Sequence, residues 1–308
     1  MLKQLREESC WLHKYASNVT SQGGEDGIIS KALDLLPTRT GWSIEFGAWD
    51  GRRYSNTWNL VSSRGYRGVF IEADLDRFRD LQRTHDGNKN LLLNATVGFN
   101  ENDCLDAILL HTPVPYDVDI LSIDIDGNDY HTWDAIRLLK PKLVVIEYNP
   151  TISNSVRFVQ PKNPQCSQGS SAASLVELGH SKGYELISAT HHNLLFVTRE
   201  YYSLFQIPDN CLEVMRDDSH CPQLFVGFDG HVFLADGDDT GSISLPWHGL
   251  KLRESKVQVI PKRIQKFPDN YTLFERVIWR CYFGLEHPQR ALNRLHGLVT
   301  RCLSRLFA

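Results

Sequence analysis

A chain of 308 residues with 42% hydrophobic and 23% charged residues can bury a large α/β domain with a small appendage. Its seven cysteines are scattered and lack C-x-x-C pairing, which excludes a disulfide framework and a zinc site and points to reduced thiols in the cytoplasm. Residues 251–308 hold 12 Lys+Arg against 4 Asp+Glu, leaving 21 against 33 in the first 250, and so acidic a body excludes a nucleic-acid-binding fold. The opening residues lack the apolar run of a secretory signal. No stretch approaches the roughly 18 apolar residues of a membrane span.

Residues 1–20 predict an amphipathic helix through Leu5, Trp11, Leu12 and Tyr15. Ser21 to Gly27 reads as a loop, and a helix carrying Ile28, Ile29, Ala32 and Leu33 follows until Pro37 ends it. From there strands and helices alternate. Trp42–Phe46, Gly68–Glu72, Leu91–Val97, Val118–Asp124 and Leu143–Glu147 read as strands. Ser55–Arg64, Asp76–Thr84 and Tyr130–Leu139 read as helices between them. The strand runs are rich in Val, Ile and Leu with little polar alternation, as in a parallel sheet covered on both faces. Asn149 to Ser170 is a long loop with three prolines, followed by a helix over Ala172–Lys182. Tyr184–Ser188 and Leu194–Val197 are strands whose short link joins only antiparallel neighbours. The predicted fold is α/β and Rossmann-like: a seven-stranded, mostly parallel sheet ending in an antiparallel hairpin, with a helical C-terminal tail. The domain spans 1–250 and the basic helical extension 251–308.

The turn after the first strand is Glu45-Phe46-Gly47-Ala48-Trp49-Asp50-Gly51. Gly47 and Gly51 let the backbone turn sharply against a ligand. The pattern is not the G-x-G-x-x-G of a dinucleotide fold, and the carboxylates of Glu45 and Asp50 oppose a diphosphate. They suit a cationic ligand such as S-adenosylmethionine (SAM), with its ammonium and sulfonium. Glu72 ends the second strand 21 residues after Gly51, where a Rossmann-like fold places the carboxylate that binds ribose hydroxyls. Asn94 and Ala95 then flank an adenine.

Ser122-Ile123-Asp124-Ile125-Asp126-Gly127-Asn128-Asp129-Tyr130 carries the densest chemistry. Strand alternation places Asp124 and Asp126 on one side, at the carboxyl edge that borders the ligand crevice. Glu147 closes the fifth strand at the same edge. Three readings stand: Asp124 holds the SAM ammonium with Asp126 near an acceptor hydroxyl; Asp124, Asp126 and Glu147 bind Mg²⁺ or Mn²⁺; or Asp126 and Asp129 serve a turn and a helix cap. His191 and His192, in the turn between the last two strands, fall on the same edge. A histidine there takes a proton from a hydroxyl or is a plain turn residue.

Ser21-Gln22-x-Gly24-Glu25-Asp26-Gly27-Ile28, the E-F-G-A-W-D-G loop, Ile123 to Tyr130 and Ile146-Glu147-Tyr148-Asn149-Pro150 together resemble the FkbM-like methyltransferases, in the branch with the D-I-D-G-N-D-Y signature. The resemblance covers roughly residues 20–200 and, more loosely, Leu224 to Leu250. It implies SAM as cofactor and O-methylation of a hydroxyl on a sugar, a glycan or a natural product. It further implies that Gln22, Glu25 and Asp26 lie over the cofactor, and that Asp124 and Asp126 border the reaction centre. Many relatives carry I-D-V-E-G where this chain has I-D-I-D-G. Asp126, Glu147 and His192 are then the candidate catalytic residues, and the loop from Thr151 to Gly169 is a candidate lid.

Two other classes compete. One is a non-catalytic SAM-fold scaffold of a glycan-assembly complex. The other is an NAD-dependent epimerase or dehydrogenase, disfavoured by the missing third glycine and the missing Tyr-x-x-x-Lys pair. In the tail, Tyr271–Phe283 and Ala291–Phe307 predict two helices with apolar faces. The second sets Arg290, Arg294, Arg301 and Arg305 on its polar side, a pattern that packs on the domain, docks to a protein complex or lies peripherally on the inner membrane.

Overall fold

The computed structural model describes residues 2–85, 89–219, 221, 223–226, 232–235, 261–264 and 270–286. They fall into two compact units, Met1–Ser219 and His220–Ala308. In the first unit the chain begins with α1 (Leu2–Ser9), a 3-10 turn (Trp11–Tyr15) and α2 (Glu25–Leu35). It continues through β1 (Trp42–Phe46), α3 (Trp58–Ser63), β2 (Arg67–Glu72), α4 (Leu75–Thr84), β3 (Leu91–Asn94) and α5 (Leu105–Leu109). Next come β4 (Ile120–Ile123), α6 (Asp129–Ala135), β5 (Leu143–Glu147), α7 (Ala172–Ser181), β6 (Tyr184–Ala189) and β7 (Asn193–Thr198), then a 3-10 segment (Arg199–Phe205) and α8 (Leu212–Met215).

The seven strands form one sheet in the order β3-β2-β1-β4-β5-β7-β6. Strands β1 to β5 pair in parallel, and β7 runs antiparallel between β5 and β6. This is the Rossmann-like sheet with a terminal hairpin that the apolar runs predict. Its core is the expected aliphatic set, including Ile44, Val69, Leu121, Val144 and Leu195, all buried. Burying such side chains supplies about 1.5–3 kcal/mol each.

Strand order reverses between β1 and β4, which makes the carboxyl ends of these two strands the topological switch point. The register fixes what meets there: Phe46 pairs with Ile123 and Ile123 with Ile146, so the chain leaves β1, β4 and β5 side by side. On the far side of β1, Phe46 pairs with Ile71, bringing Glu72 to the same edge. At the opposite, amino end of the sheet, buried Asp119 is fully satisfied: it pairs with Lys142 at 2.7 Å and accepts the N–H groups of Thr40 and Gly41.

Several elements are shorter than their patterns predict, for local reasons. The helix predicted to reach Leu139 stops at Ala135, because buried Asp106 accepts the N–H groups of Arg137, Leu138 and Leu139. The third strand ends at Asn94 rather than Val97, where the Asn94 side chain donates to the carbonyls of Glu72 and Ala73. The opening helix breaks at Cys10 into α1 and the 3-10 turn, and α5 and α8 carry no strong period.

The second unit contains the antiparallel pair β8 (Gln223–Val226) and β9 (Val232–Ala235), and α9 (Leu273–Glu286). Thr272 and Glu275 form a reciprocal capping box that starts α9, and the helix runs through Gly284, where the sequence predicts a break. Leu273, Phe274, Val277 and Cys281 of its predicted apolar face are exposed, while Ile278 is half-buried. The second tail helix, Ala291–Phe307, lies outside the described residues. Among the described residues no helix is long and apolar enough to cross a membrane.

Candidate functional site

The loop after β1 is shaped by what it cannot accommodate. Gly47 has φ +74°, and a Cβ built on it would sit 1.6 Å from the backbone oxygen of Asp124. The β1 loop and the β4 turn therefore touch backbone to backbone, which only glycine permits. Gly51 is buried at φ +72°, packed against the His85 ring and Leu81. Asp50 uses one carboxylate oxygen to accept the N–H groups of Arg52 and Arg53, closing the turn.

Glu45 is wholly buried in hydrogen bonds that sequence reasoning did not find. Its carboxylate accepts the Ser55 hydroxyl at 2.5 Å, the Thr57 hydroxyl at 2.7 Å and the Asn56 N–H at 2.9 Å. Asn56 in turn donates to the Ser122 hydroxyl on β4. Burial, with Asp26 nearby, pushes the Glu45 pKa up against these bonds. The signal was the Ser55-Asn56-Thr57 triplet, three small polar residues directly ahead of α3. Glu72, also buried, accepts the N–H of Trp49 and the N–H of Asp74 at 2.8 Å each, and so ties the β2 end to the β1 loop. Asn94 is exposed beside it, and the Ala95 N–H donates to the Glu72 carbonyl.

The N-terminal loop meets these elements through two acids of α2. Oδ2 of Asp26 accepts the N–H groups of Val19, Thr20 and Ser21 at 2.8, 2.8 and 2.9 Å. Oδ1 of the same carboxylate is buried and has no hydrogen-bond partner. Glu25 accepts the Thr190 hydroxyl, the Asn193 amide and the Gly23 N–H, joining the loop to the β6–β7 hairpin. Gln22 is exposed, with its backbone carbonyl accepting from Asn18.

The acidic segment is a turn rather than a strand extension. β4 ends at Ile123, and Asp129 at the start of α6 accepts the N–H groups of Ile125 and Gly127 at 2.9 Å each. Asp126 takes φ +57°, a left-handed conformation that aspartate tolerates better than most residues. Strand alternation therefore does not set the positions of Asp124 and Asp126. The turn does, and it gathers one oxygen each from Asp124, Asp126 and Glu147 within 4.8 Å of one another. Among the described residues no cation forms an ion pair with any of the three.

Electrostatics follow from that crowding. Burial, then the charges of Asp129, Asp126 and Glu45, push the Asp124 pKa up to about 8. Burial and the neighbouring Asp124 raise Glu147 well above the usual carboxylate range, and the two side chains hydrogen-bond. Such a pair holds a proton between its members near neutral pH. His192 is half-buried next to His191, and burial and that neighbour lower its pKa, leaving a neutral ring. Its carbonyl accepts the Tyr148 N–H, which pins the hairpin turn to the end of β5.

The 149–170 loop is fastened to this edge. Buried Gln160 bridges the Cys166 carbonyl and the N–H groups of Gln168 and Gly169, and Asn128 donates to the carbonyls of Asn163 and Cys166. Arg216, stacked 4.8 Å from the Tyr148 ring centre, donates to the carbonyls of Pro150 and Ile152.

No family model matches the chain, and neither does any curated protein. Among solved structures it is similar to an O-methyltransferase from Bacillus cereus in complex with SAH, at 16% identity over 64% of this chain and 90% of that one, with a TM-score of 0.37. It is similar to a TehB-like SAM-dependent methyltransferase from Corynebacterium glutamicum, at 10% identity over 55% of this chain and 86% of that one, TM-score 0.35. A third is the CMeT domain of the citrinin polyketide synthase, at 11% identity over 61% of this chain and TM-score 0.37. The chain spans only 55% of that domain's length. The architecture itself rests on the strand order and register of the sheet.

Proposed function

We propose that this chain is a SAM-dependent O-methyltransferase acting on a hydroxyl of a sugar, a glycan or a related small acceptor. One contrast carries the reading. The buried acid at the amino end of the sheet has its lysine, whereas Asp124, Asp126 and Glu147 at the switch point pair with no cation among the described residues. Acids gathered without a cation, with the pKa values of Asp124 and Glu147 raised in consequence, form a site that a positively charged ligand would relieve. The resemblance to FkbM-like methyltransferases names that ligand as SAM and the acceptor as a hydroxyl.

The donor set fits. Glu72 offers its remaining lone pairs to ribose hydroxyls, and the orphaned Oδ1 of Asp26 and the Asp124 carboxylate offer acceptors to an ammonium. When bound, SAM supplies an electrophilic methyl group on a cationic sulfur. The chain's own residues then hold the acceptor hydroxyl and take its proton. The Asp124–Glu147 pair, with the Asp124 pKa raised to about 8, and the neutral ring of His192 are the candidate proton acceptors.

Asp26→Asn probes the cofactor half without disturbing the loop. Asparagine keeps one oxygen for the three N–H groups of Val19, Thr20 and Ser21 but replaces the orphaned oxygen with an amide NH₂. SAM affinity by calorimetry is expected to fall at least about tenfold, the loss of one charge-assisted hydrogen bond, with the melting midpoint little changed. Unchanged affinity removes Asp26 from the site.

The reaction is tested by incubating the protein with methyl-labelled SAM and a pool of sugars and glycans. Label recovered as an alkali-stable methyl ether supports the reading. Label on nitrogen or carbon contradicts O-methylation, and binding without transfer favours the non-catalytic scaffold. The convergence of three carboxylate oxygens within 4.8 Å also favours a second reading of the same cluster, an Mg²⁺ or Mn²⁺ site that lowers the hydroxyl pKa. Transfer that stops in EDTA and returns with Mg²⁺ supports it, and full transfer in EDTA excludes it.

A further inference from the structure

Beside the acidic cleft lies a feature of opposite sign. Trp49, in the β1 loop, carries two guanidinium groups on its indole: the Arg53 carbon lies 4.7 Å and the Arg77 carbon 4.8 Å from its ring centre. Arg53 also stacks 5.0 Å from the Tyr54 ring, whose edge faces Trp49 with centroids 6.5 Å apart. Arg52 extends from the same turn to lie over Trp58. Among the described residues none of these three arginines has a carboxylate within ion-pair distance, although Asp76 and Asp80, on the same helix as Arg77, pair with Arg79 and Arg83. Their one acidic neighbour in the turn, Asp50, gives an oxygen to the N–H groups of Arg52 and Arg53.

Gathering like charges around one indole is unfavourable unless something negative accompanies them. Stacking on indole and phenol holds the guanidiniums in place; Arg53 gives one N–H to the Tyr54 hydroxyl at 3.4 Å and keeps its other N–H groups for a tetrahedral oxyanion. A hollow of about 230 Å³ opens there, lined by Thr20, Asp50, Arg52, Arg53 and Tyr54, large enough for a phosphate with part of the molecule that carries it. The backbone is committed to the shape: Trp49 and Tyr54 both take left-handed conformations, at φ +50° and +61°.

We propose that Arg52, stacked on Trp58, and Arg53, stacked on Trp49 and Tyr54, with Arg77 on the same indole, bind a phosphate-like group carried by the acceptor, so that the acceptor is a sugar phosphate or another phosphorylated hydroxyl compound. This deepens the methyltransferase reading and rests on it for the word acceptor, but the anion site stands on its own geometry. It also explains how an acidic protein draws in an anionic substrate. A local patch of three guanidiniums against Asp50 offsets the negative field of the surrounding body at the cleft mouth.

The test follows the Trp49 indole N–H by NMR, its signal assigned by disappearance in Trp49→Phe, with glucose 6-phosphate, inorganic phosphate and glucose titrated at constant ionic strength. Glucose 6-phosphate is expected to give a saturable shift, glucose none, and Arg53→Gln/Arg77→Gln to weaken binding at least about tenfold at an unchanged melting midpoint. A non-saturable shift, or equal affinity in the double variant, overturns the proposal. Inorganic phosphate binding as tightly as glucose 6-phosphate overturns the acceptor-borne form in favour of a free-phosphate site. SAM affinity is read separately on the same samples: a wild-type protein that binds the sugar phosphate but not SAM fails the methyltransferase reading and not the anion site, and the converse result fails only the anion site.

Discussion

Gly47→Ala should be the most damaging single-methyl change in the first unit, lowering its melting midpoint by about 5–15 °C and abolishing SAM binding. Two effects add. A left-handed residue with a Cβ costs about 1–2 kcal/mol, and a methyl forced into a closed contact costs about 1–3 kcal/mol more. For a unit of this size each kcal/mol is worth about 2–4 °C. The contact is with the Asp124 backbone oxygen, 1.6 Å from the built Cβ, so relief requires the β1 loop and the β4 turn to part, which displaces Asp124. Gly41→Ala separates the two effects: Gly41 shares the left-handed conformation, at φ +73°, but has nothing within 4 Å of a built Cβ. It should show only the smaller loss and keep full SAM affinity. Equal losses in the two variants, measured by thermal melting, would show that the close approach of the two loops is not what the glycine serves.

Asp124→Asn is expected to stabilise the ligand-free protein at pH 8 while removing its affinity for SAM. In the folded protein Asp124 keeps its proton up to about pH 8, whereas unfolded it releases the proton near the ordinary aspartate pKa of 3.8. Between these values the folded state binds more protons, so this contribution is present below about pH 4 and is lost as pH rises toward 8. Glu147 and Asp129, whose pKa is raised to about 6, act in the same direction. Melting from pH 5 to 8 should therefore show a fall in the wild-type midpoint and a flatter profile in Asp124→Asn, with the largest gap at the alkaline end. SAM added at pH 8 should rescue the wild type and not the variant, because a bound cation offsets the carboxylates it sits among. Parallel profiles for the two proteins would mean that Asp124 is ionised in the ligand-free cleft. The trade is the usual one between a strained site and a stable fold.

The sheet was legible in the sequence because its signals are local. Five aliphatic runs without polar alternation, separated by helical segments, and a five-residue link between the last two strands specify parallel pairing and a terminal hairpin. The ends of elements were less legible because side chains far along the chain decide them, as Asp106 does for the end of helix α6. Glu45, Glu72, Asp124 and Glu147 could be named from their places at strand ends, and Glu25 and Asp26 from the family resemblance, but not their partners. Glu45 is held by a Ser-Asn-Thr triplet 10–12 residues away, and Glu25 by Thr190 and Asn193 across the sheet edge. The cluster of Asp124, Asp126 and Glu147 was reached by an argument from strand pleating that the structure replaces with a turn organised by Asp129. The arginines on Trp49 left no pattern to read, since Arg53 and Arg77 come from different elements and meet only in three dimensions.

The central claim, that the switch-point crevice takes a cationic adenosyl ligand and not a dinucleotide, is tested most directly by melting the wild-type protein with SAM, with S-adenosylhomocysteine and with NAD. A ligand present at about 100 times its dissociation constant adds about 2.7 kcal/mol, a shift of several degrees. SAM and S-adenosylhomocysteine should each raise the midpoint in a concentration-dependent way, and NAD should not. A rise with NAD, or no rise with SAM at millimolar concentration, would contradict the account.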